Sequence, residues 1–485
     1  MSEVIVSIFV AAVITAIYCR YRSLFCLPFF WAAVFALLYV GTLQIQARYG
    51  GSSYVYAAAA FGSFYVGLLA CDLIPLLRRG FTKRKSGNGP RGRASQATSS
   101  SNKPSMFPYG DKERSEPSGR ASQEAGSRTQ PQPTGTKIEL TFPALPLNIG
   151  LCLSLAAAVV VTSLLFAENG IPILSSFPAL AWVRATSGPA NRLMSVFGPG
   201  SFASLGLVGW GIHRKSGSPA ALAMTYLGLG FGILSQALLA SKAAAILIFI
   251  WFNILLFYMN KKREFRKSVL PLLVVVVPVS AAIVAVRLTS TQGYWETESV
   301  YQTYYQRLTT TSAEPVDFIF KYIHRFGPEE GAAMQREVAR IEDQLTGRPK
   351  TPLLSEFVYN LLSGESVYKT GLSASLTIFG TGYVEWGIAG MLIFSFLQGL
   401  GFGWVHRRLL RQEKMNILTL VFWGAIINYL MGVSVSGTVL VTFESVFLSV
   451  IPPLVLLLPF WVLFYLPVAR RYDVYARRKA SEVVW

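Results

Sequence analysis

The chain is predicted to be an all-α polytopic membrane protein of about eleven transmembrane helices (N-out, C-in), with one large, partly helical outer loop and a disordered cytoplasmic linker. Three observations predict this. Composition is the first: 52% of residues are apolar, only 14% are charged, and the mean hydropathy is +0.43, which are values of the membrane class. The second is a series of apolar runs near the ~20 residues that a helix needs to cross a bilayer core. The third is the placement of Lys and Arg. Arg20/Arg22, Arg78 to Lys85, Arg214/Lys215, Lys261 to Lys267, Arg407 to Lys414 and Arg470 to Lys479 follow every second run, which assigns these clusters to the inner side.

Taken in order, three N-terminal spans (4–19, 24–43 and 53–77) fill residues 1–77. Glu3 precedes the first and Arg20 follows it, the pattern of an N-out helix rather than a cleaved signal peptide. Residues 78–140 are dominated by Ser, Gly, Pro, Gln and Arg, which predicts the disordered basic cytoplasmic linker. A first membrane section, 141–286, holds runs at 146–167, 197–213, 218–238, 243–259 and 268–286. The outer loop occupies 287–371, and a second membrane section, 372–469, holds 384–405, 416–434 and 440–468 before a basic tail at 470–485. Frequent Ala, Gly and Ser within the spans allow helices to approach closely.

A net charge of +19 invites a nucleic-acid reading, but its distribution opposes one. On the inner side lie 31 of the 44 Lys and Arg, 13 of them in the linker, while the loop 287–371 balances 9 Lys/Arg against 11 Asp/Glu. The basicity orients the spans and favours anionic lipid headgroups; no nucleic-acid partner is expected. Cys19, Cys26, Cys71 and Cys152 lie in or beside apolar runs with no metal-ligand spacing. No disulfide, metal or cofactor is expected.

The outer loop is too long to be a mere connection. Ala332 to Leu345 has helical periodicity, ended by Pro349 and Pro352. Tyr294, Trp295, Tyr301, Tyr304 and Tyr305 cluster at its start; they suit the apolar faces of sugar rings, or else pack the loop on itself or sit in an interfacial belt. Positive charges near membrane depth on the outer side oppose the orientation rule, so each is informative. These are Arg184, Arg192, Lys242, Arg287, Arg307 and the His324-Arg325 pair. They form a pool from which a phosphate clamp would be drawn, or they are solvated and snorkelling charges. Glu385, in the run Tyr383-Val384-Glu385-Trp386-Gly387, reads as a general base, a partner for one of those Arg residues, or a capping group. His324 is the outer histidine, either a base for a hydroxyl or a solvated loop residue. Chemistry on this side has no access to ATP or nucleotide sugars.

The stretch Phe379 to Trp404 resembles the re-entrant segment of the Wzy-type O-antigen (oligosaccharide repeat-unit) polymerases. A pattern like G-E-x-Y-x-N-[FW]-G-x-x-G is frequent there. Gly380, Tyr383, Trp386, Gly387 and Gly390 match it, whereas Thr381 stands in place of Glu and Glu385 in place of Asn. Gly170 to Leu174 with Arg184 is similar to the first outer loop of that family, and Ser241-Lys242 to its Ser-Arg-Gly segment. The resemblance covers roughly 146–468 and leaves out the first three spans and the linker. It implies a GT-C-like membrane glycosyltransferase of the bacterial inner membrane. Such enzymes pass a growing glycan from undecaprenyl pyrophosphate to a lipid-linked repeat unit at the periplasmic face, without metal or cofactor. It also implies work alongside a chain-length regulator and other polysaccharide assembly proteins. On this reading Glu385, His324 and Arg307 are the catalytic candidates. Substrate contacts fall to Arg184, Arg192, Lys242, Arg287, Arg325, Tyr304, Tyr305 and Tyr383.

Two other classes stay open. An O-antigen ligase shares the architecture and places a His in its large loop, where His324 lies. A flippase or transporter of lipid-linked sugars would show internal repeats and mid-membrane charges; no repeat is visible, and Asp72 lies close to an inner end.

Overall fold

A computed structural model of the chain describes residues 2–21, 26–86, 144–175, 181, 206, 209–213, 217–239, 242–259, 310–363, 374–412, 417–444 and 446. Among them every regular element is helical. The first five are α1 Ser2–Tyr21, α2 Leu27–Tyr49, α3 Ser53–Ser86, α4 Ala144–Asn169 and α5 Pro219–Leu238. There follow α6 Lys242–Met259, α7 Thr310–Phe326, α8 Ala332–Thr346, α9 Leu354–Ser363, α10 Thr377–Arg411 and α11 Ile417–Ser436. By length and composition α1 to α5 and α10 are able to cross a membrane.

The predicted runs at 4–19, 24–43, 53–77, 146–167, 218–238, 243–259, 384–405 and 416–434 overlap α1 to α6, α10 and α11. Those at 268–286 and, for the most part, 197–213 and 440–468 lie outside the described residues, as does the linker beyond Ser86. Local chemistry sets several boundaries. Pro28 stands in the first turn of α2, where a missing N–H costs nothing. The Ser218 hydroxyl accepts the Ala221 N–H at the start of α5. Gly347, in the left-handed region, ends α8 just ahead of Pro349.

Residues Met1–Asp72 and Gly135–Trp485 make one compact unit, and Leu73–Thr134 make a second. In the first, α2, α3, α7 and α10 meet around aromatic rings. Phe35 lies 5.3 Å from Phe61, 5.5 Å from Phe64 and 5.3 Å from Phe379, centroid to centroid. Trp31 stacks on Phe402 at 5.7 Å. Each such pair adds about 0.5–1.5 kcal/mol beyond its buried area.

Helices α3 and α10 run parallel. Going down the pair, the Ser63 hydroxyl donates to the Leu392 carbonyl at 2.7 Å, Gly67 faces Phe396, Gly403 faces Cys71, and Arg407 reaches Asp72. A Cβ at Gly67 or Gly399 would run into the backbone of the other helix, the small-residue device of membrane helices. At the Arg407 end, Asp72 also pairs with Arg20 of α1. At the other end, helix α7 is tied down. Asp317 accepts the Ser53 hydroxyl and pairs with Lys321 at 2.8 Å.

Candidate functional site

The run that reads from sequence as one span beginning near 384 is a hairpin. The helical stretch from Thr377 to Arg411 is broken at two residues: Trp386 (φ −138°, ψ 27°) and Gly387 (φ 61°, ψ −144°) are non-helical. In a straight helix residues 382 and 390 would stand ~12 Å apart. Here a Cβ on either of Gly382 and Gly390 would collide with the carbonyl of the other. The chain therefore doubles back, and only glycine tolerates both the turn and the approach.

The short first limb, Thr377 to Glu385, is buried along its whole length. It climbs from Phe379, stacked on Phe35 of α2, to Tyr383, whose ring meets Phe320 of α7 at 4.7 Å and Tyr56 of α3 at 5.5 Å. The last carbonyls of this limb do not go unpaired. Val384 and Glu385 accept the Glu329 and Glu330 amides at 2.8 and 3.0 Å, which closes a buried helix end.

Glu385 caps that junction at 0% exposure. Its Oε1 accepts the Met334 N–H at 2.7 Å, in the first turn of α8. Its Oε2 has no hydrogen-bond partner among the described residues and faces Gly331, whose Cβ would stand 3.8 Å away. Of the three roles open from sequence, capping is thus present, and no Arg among the described residues pairs with this carboxylate.

One turn further along α8, Glu337 is 3% exposed. Its carboxylate accepts the amides of Val439, Leu440 and Val441 at 3.0, 2.7 and 3.1 Å, capping the helical residues 440–444. Burial pushes the Glu337 carboxyl above its ordinary range; the three amides pull it back, and the charge of Glu385 pushes it up again. Two buried carboxylates therefore clasp α8 between α10 and the last described helical turn.

No known protein family, curated protein or solved structure matches the chain.

The other predicted site residues fall into two groups. His324 and Arg325 are exposed on the last turn of α7, with the Arg325 guanidinium over the Phe326 ring at 5.3 Å. His324 stands one helical turn beyond Phe320, the residue whose ring meets Tyr383. Tyr383 is 4% exposed and packs in the core, a position for shaping the limb rather than for meeting a sugar face. Arg184, Arg192, Arg287, Tyr304, Tyr305 and Arg307 lie outside the described residues, and Lys242 is the first residue of α6. No group of metal-binding side chains occurs among the described residues.

Glu337 does not stand out in the sequence. The signal lies in Ala332 to Leu345: Glu337 shares its face with Ala333 and Ile341 at i±4 spacing, while Leu345 is 83% exposed. A carboxylate on the inward stripe of an amphipathic helix requires a buried partner, here a helix N-terminus.

Proposed function

We propose that this chain is a membrane glycosyltransferase that polymerises lipid-linked oligosaccharide repeat units. The reading rests on one observation together with the resemblance of Phe379 to Trp404. The fully buried Glu385, at the tip of the hairpin in that stretch, has one oxygen held by a helix N-terminus and the other without a partner. A carboxylate so placed is oriented by the first contact and free to take a proton at Oε2. In the proposed step, the turn at 327–331 that covers Glu385 moves aside; the acceptor sugar hydroxyl hydrogen-bonds Oε2 and loses its proton there as its oxygen attacks the anomeric carbon of the donor. The bond from that carbon to the pyrophosphate oxygen breaks, and the electron pair leaves with undecaprenyl pyrophosphate. Direct attack inverts the anomeric configuration. Cations drawn from Arg184, Arg192, Lys242, Arg287 and Arg307 stabilise the growing pyrophosphate charge. The exposed His324 and Arg325 border the loop that receives the acceptor.

The test is the lipid-linked and surface glycan profile of a strain lacking the gene, complemented with wild type, Glu385→Gln or Arg307→Ala. Gln keeps an acceptor for the Met334 amide and removes the base, so the folded amount stays level while polymer falls about 10²–10⁴-fold. Single repeat units then collect on undecaprenyl pyrophosphate. Full-length polymer stranded on the carrier would replace this reading with a ligase. Repeat units held on the cytoplasmic leaflet would replace it with a flippase. An unchanged profile would remove the pathway altogether.

A further inference from the structure

At the Arg407 end of α10 the basic residues divide into two kinds. Arg407 is neutralised: it pairs with Asp72, donates to the Cys71 carbonyl, and shares Asp72 with Arg20. Arg408 and Arg411 are exposed and meet no carboxylate among the described residues. The Arg408 guanidinium lies over the Trp404 ring at 5.8 Å, and Trp404 is 45% exposed. Behind it stands Trp423 of α11, centroids 5.7 Å apart, whose indole N–H donates to Gln412 Oε1 at 2.6 Å. A guanidinium lying on an indole keeps its N–H edge free for phosphate oxygens while its face is held.

The same face continues down the helix as Leu397 and Ile393, 54% and 52% exposed. From Ile393 to Trp404 the helix rises about 16 Å, close to half the ~30 Å hydrocarbon core of a bilayer. One stripe of α10 thus presents, in order, an apolar length matching one leaflet, an indole at headgroup depth and two cations that meet no carboxylate among the described residues.

We propose that this stripe is a binding site for one anionic phospholipid, its phosphate bridging Arg408 and Arg411 and an acyl chain lying along Trp404, Leu397 and Ile393. The continuity of cation, aromatic and apolar surface selects a lipid over a soluble phosphate, which would use the cations alone. The site does not depend on the glycosyltransferase reading.

Native mass spectrometry of the full chain in detergent, titrated with phosphatidylglycerol or phosphatidylcholine of the same chain length, tests this. Wild type is expected to retain one phosphatidylglycerol in preference to phosphatidylcholine. Each arginine replaced, Arg408→Gln or Arg411→Gln, lowers that affinity about fivefold, and Trp404→Leu lowers it with both charges present. Arg348→Gln, an exposed loop charge 3.8 Å from Glu342, leaves it unchanged. All three sites of substitution on α10 are exposed, so the variants keep the fold, checked by their melting temperatures. Equal retention of the two lipids, or unaltered phosphatidylglycerol binding by the double Arg variant, overturns the proposal. So does complete displacement of the lipid by glycerol phosphate, which would mark a free-anion site.

Discussion

Two carboxylates set the behaviour of the segment 310–363 at the level of single residues, and they do so with opposite dependences on pH. Glu337 holds three backbone amides, so Glu337→Ala leaves them unpaired in a buried setting and is expected to lower stability by ~1–3 kcal/mol. Glu337→Gln keeps one acceptor and costs less. The Glu337 carboxyl is raised in the folded chain, chiefly by burial. A raised group binds its proton more tightly folded than unfolded, so its stabilising contribution is complete below the ordinary carboxylate range and lost as pH rises through the folded value. Thermal melts at pH 5 and pH 7.5 should therefore show wild type gaining on Glu337→Gln at the lower pH. A constant difference between the two would mean that the charge is not what matters there. Asp343 behaves in the reverse sense. The Thr351 hydroxyl and amide, at 2.7 and 2.8 Å, hold its carboxyl below the usual range. Its contribution is present at neutral pH and fades as pH falls through that lowered value, loosening the turn between α8 and α9, which amide exchange at Thr351 would detect.

The α10 hairpin shows what an element contributes that a hydropathy profile averages away. Phe379 to Trp404 is apolar almost throughout, so a window long enough to find a span reads across the break at Trp386-Gly387. From sequence, Gly387 and Gly390 read only as matches to a motif, and Gly382 falls outside the run that begins near 384. Their roles separate only once the chain reverses: Gly387 makes the turn at φ 61°, whereas Gly382 and Gly390 touch across it. Gly387→Ala is expected to cost ~1–3 kcal/mol of backbone strain. Gly390→Val is more damaging, since the Gly382 carbonyl it would strike is backbone and cannot yield, and it should reduce the amount of folded protein extracted from membranes. Gly401→Val is the control, with only the Leu430 side chain near, at 3.4 Å. Equal losses at 390 and 401 would show that helix packing in general, not the hairpin, is at stake. Amphipathic α8 is legible from its periodicity, and so is its end ahead of the prolines. The burial of Glu337 is not, because its partner amides are contributed from 102 or more residues away.

For the whole molecule, charge alternation makes the broadest expectation, and contacts distant in sequence bring together residues that it places at the same ends. Arg20, Asp72 and Arg407 are assigned to one side by the Lys/Arg pattern alone, and they meet in a single ion cluster. Glu3 and Gln46, assigned to the other side, meet at 2.7 Å, and Ser53 meets Asp317 of the loop helix α7. Sequence resemblance sets the first three helices apart from the rest, yet Phe35 and Phe64 pack their rings on Phe379 and Phe402 of α10. Resemblance follows motifs, whereas packing follows surfaces, and the surface of the first limb is covered by α2 and α3. Removing residues 1–72 should consequently expose that limb and leave no stably folded remainder, and co-expression of 1–72 as a separate piece should restore it. Sidedness is open to direct test in a background lacking the four cysteines. With the loop outside, His324→Cys is labelled by an impermeant thiol reagent in intact cells, and Arg408→Cys only after the membrane is opened. Labelling in the reverse order would invert the assignment of α1, α3 and α10 together, because the ion cluster joins them at one end. It would also move Glu385 to the side where nucleotide sugars are present, and with it the reason for expecting a lipid pyrophosphate donor.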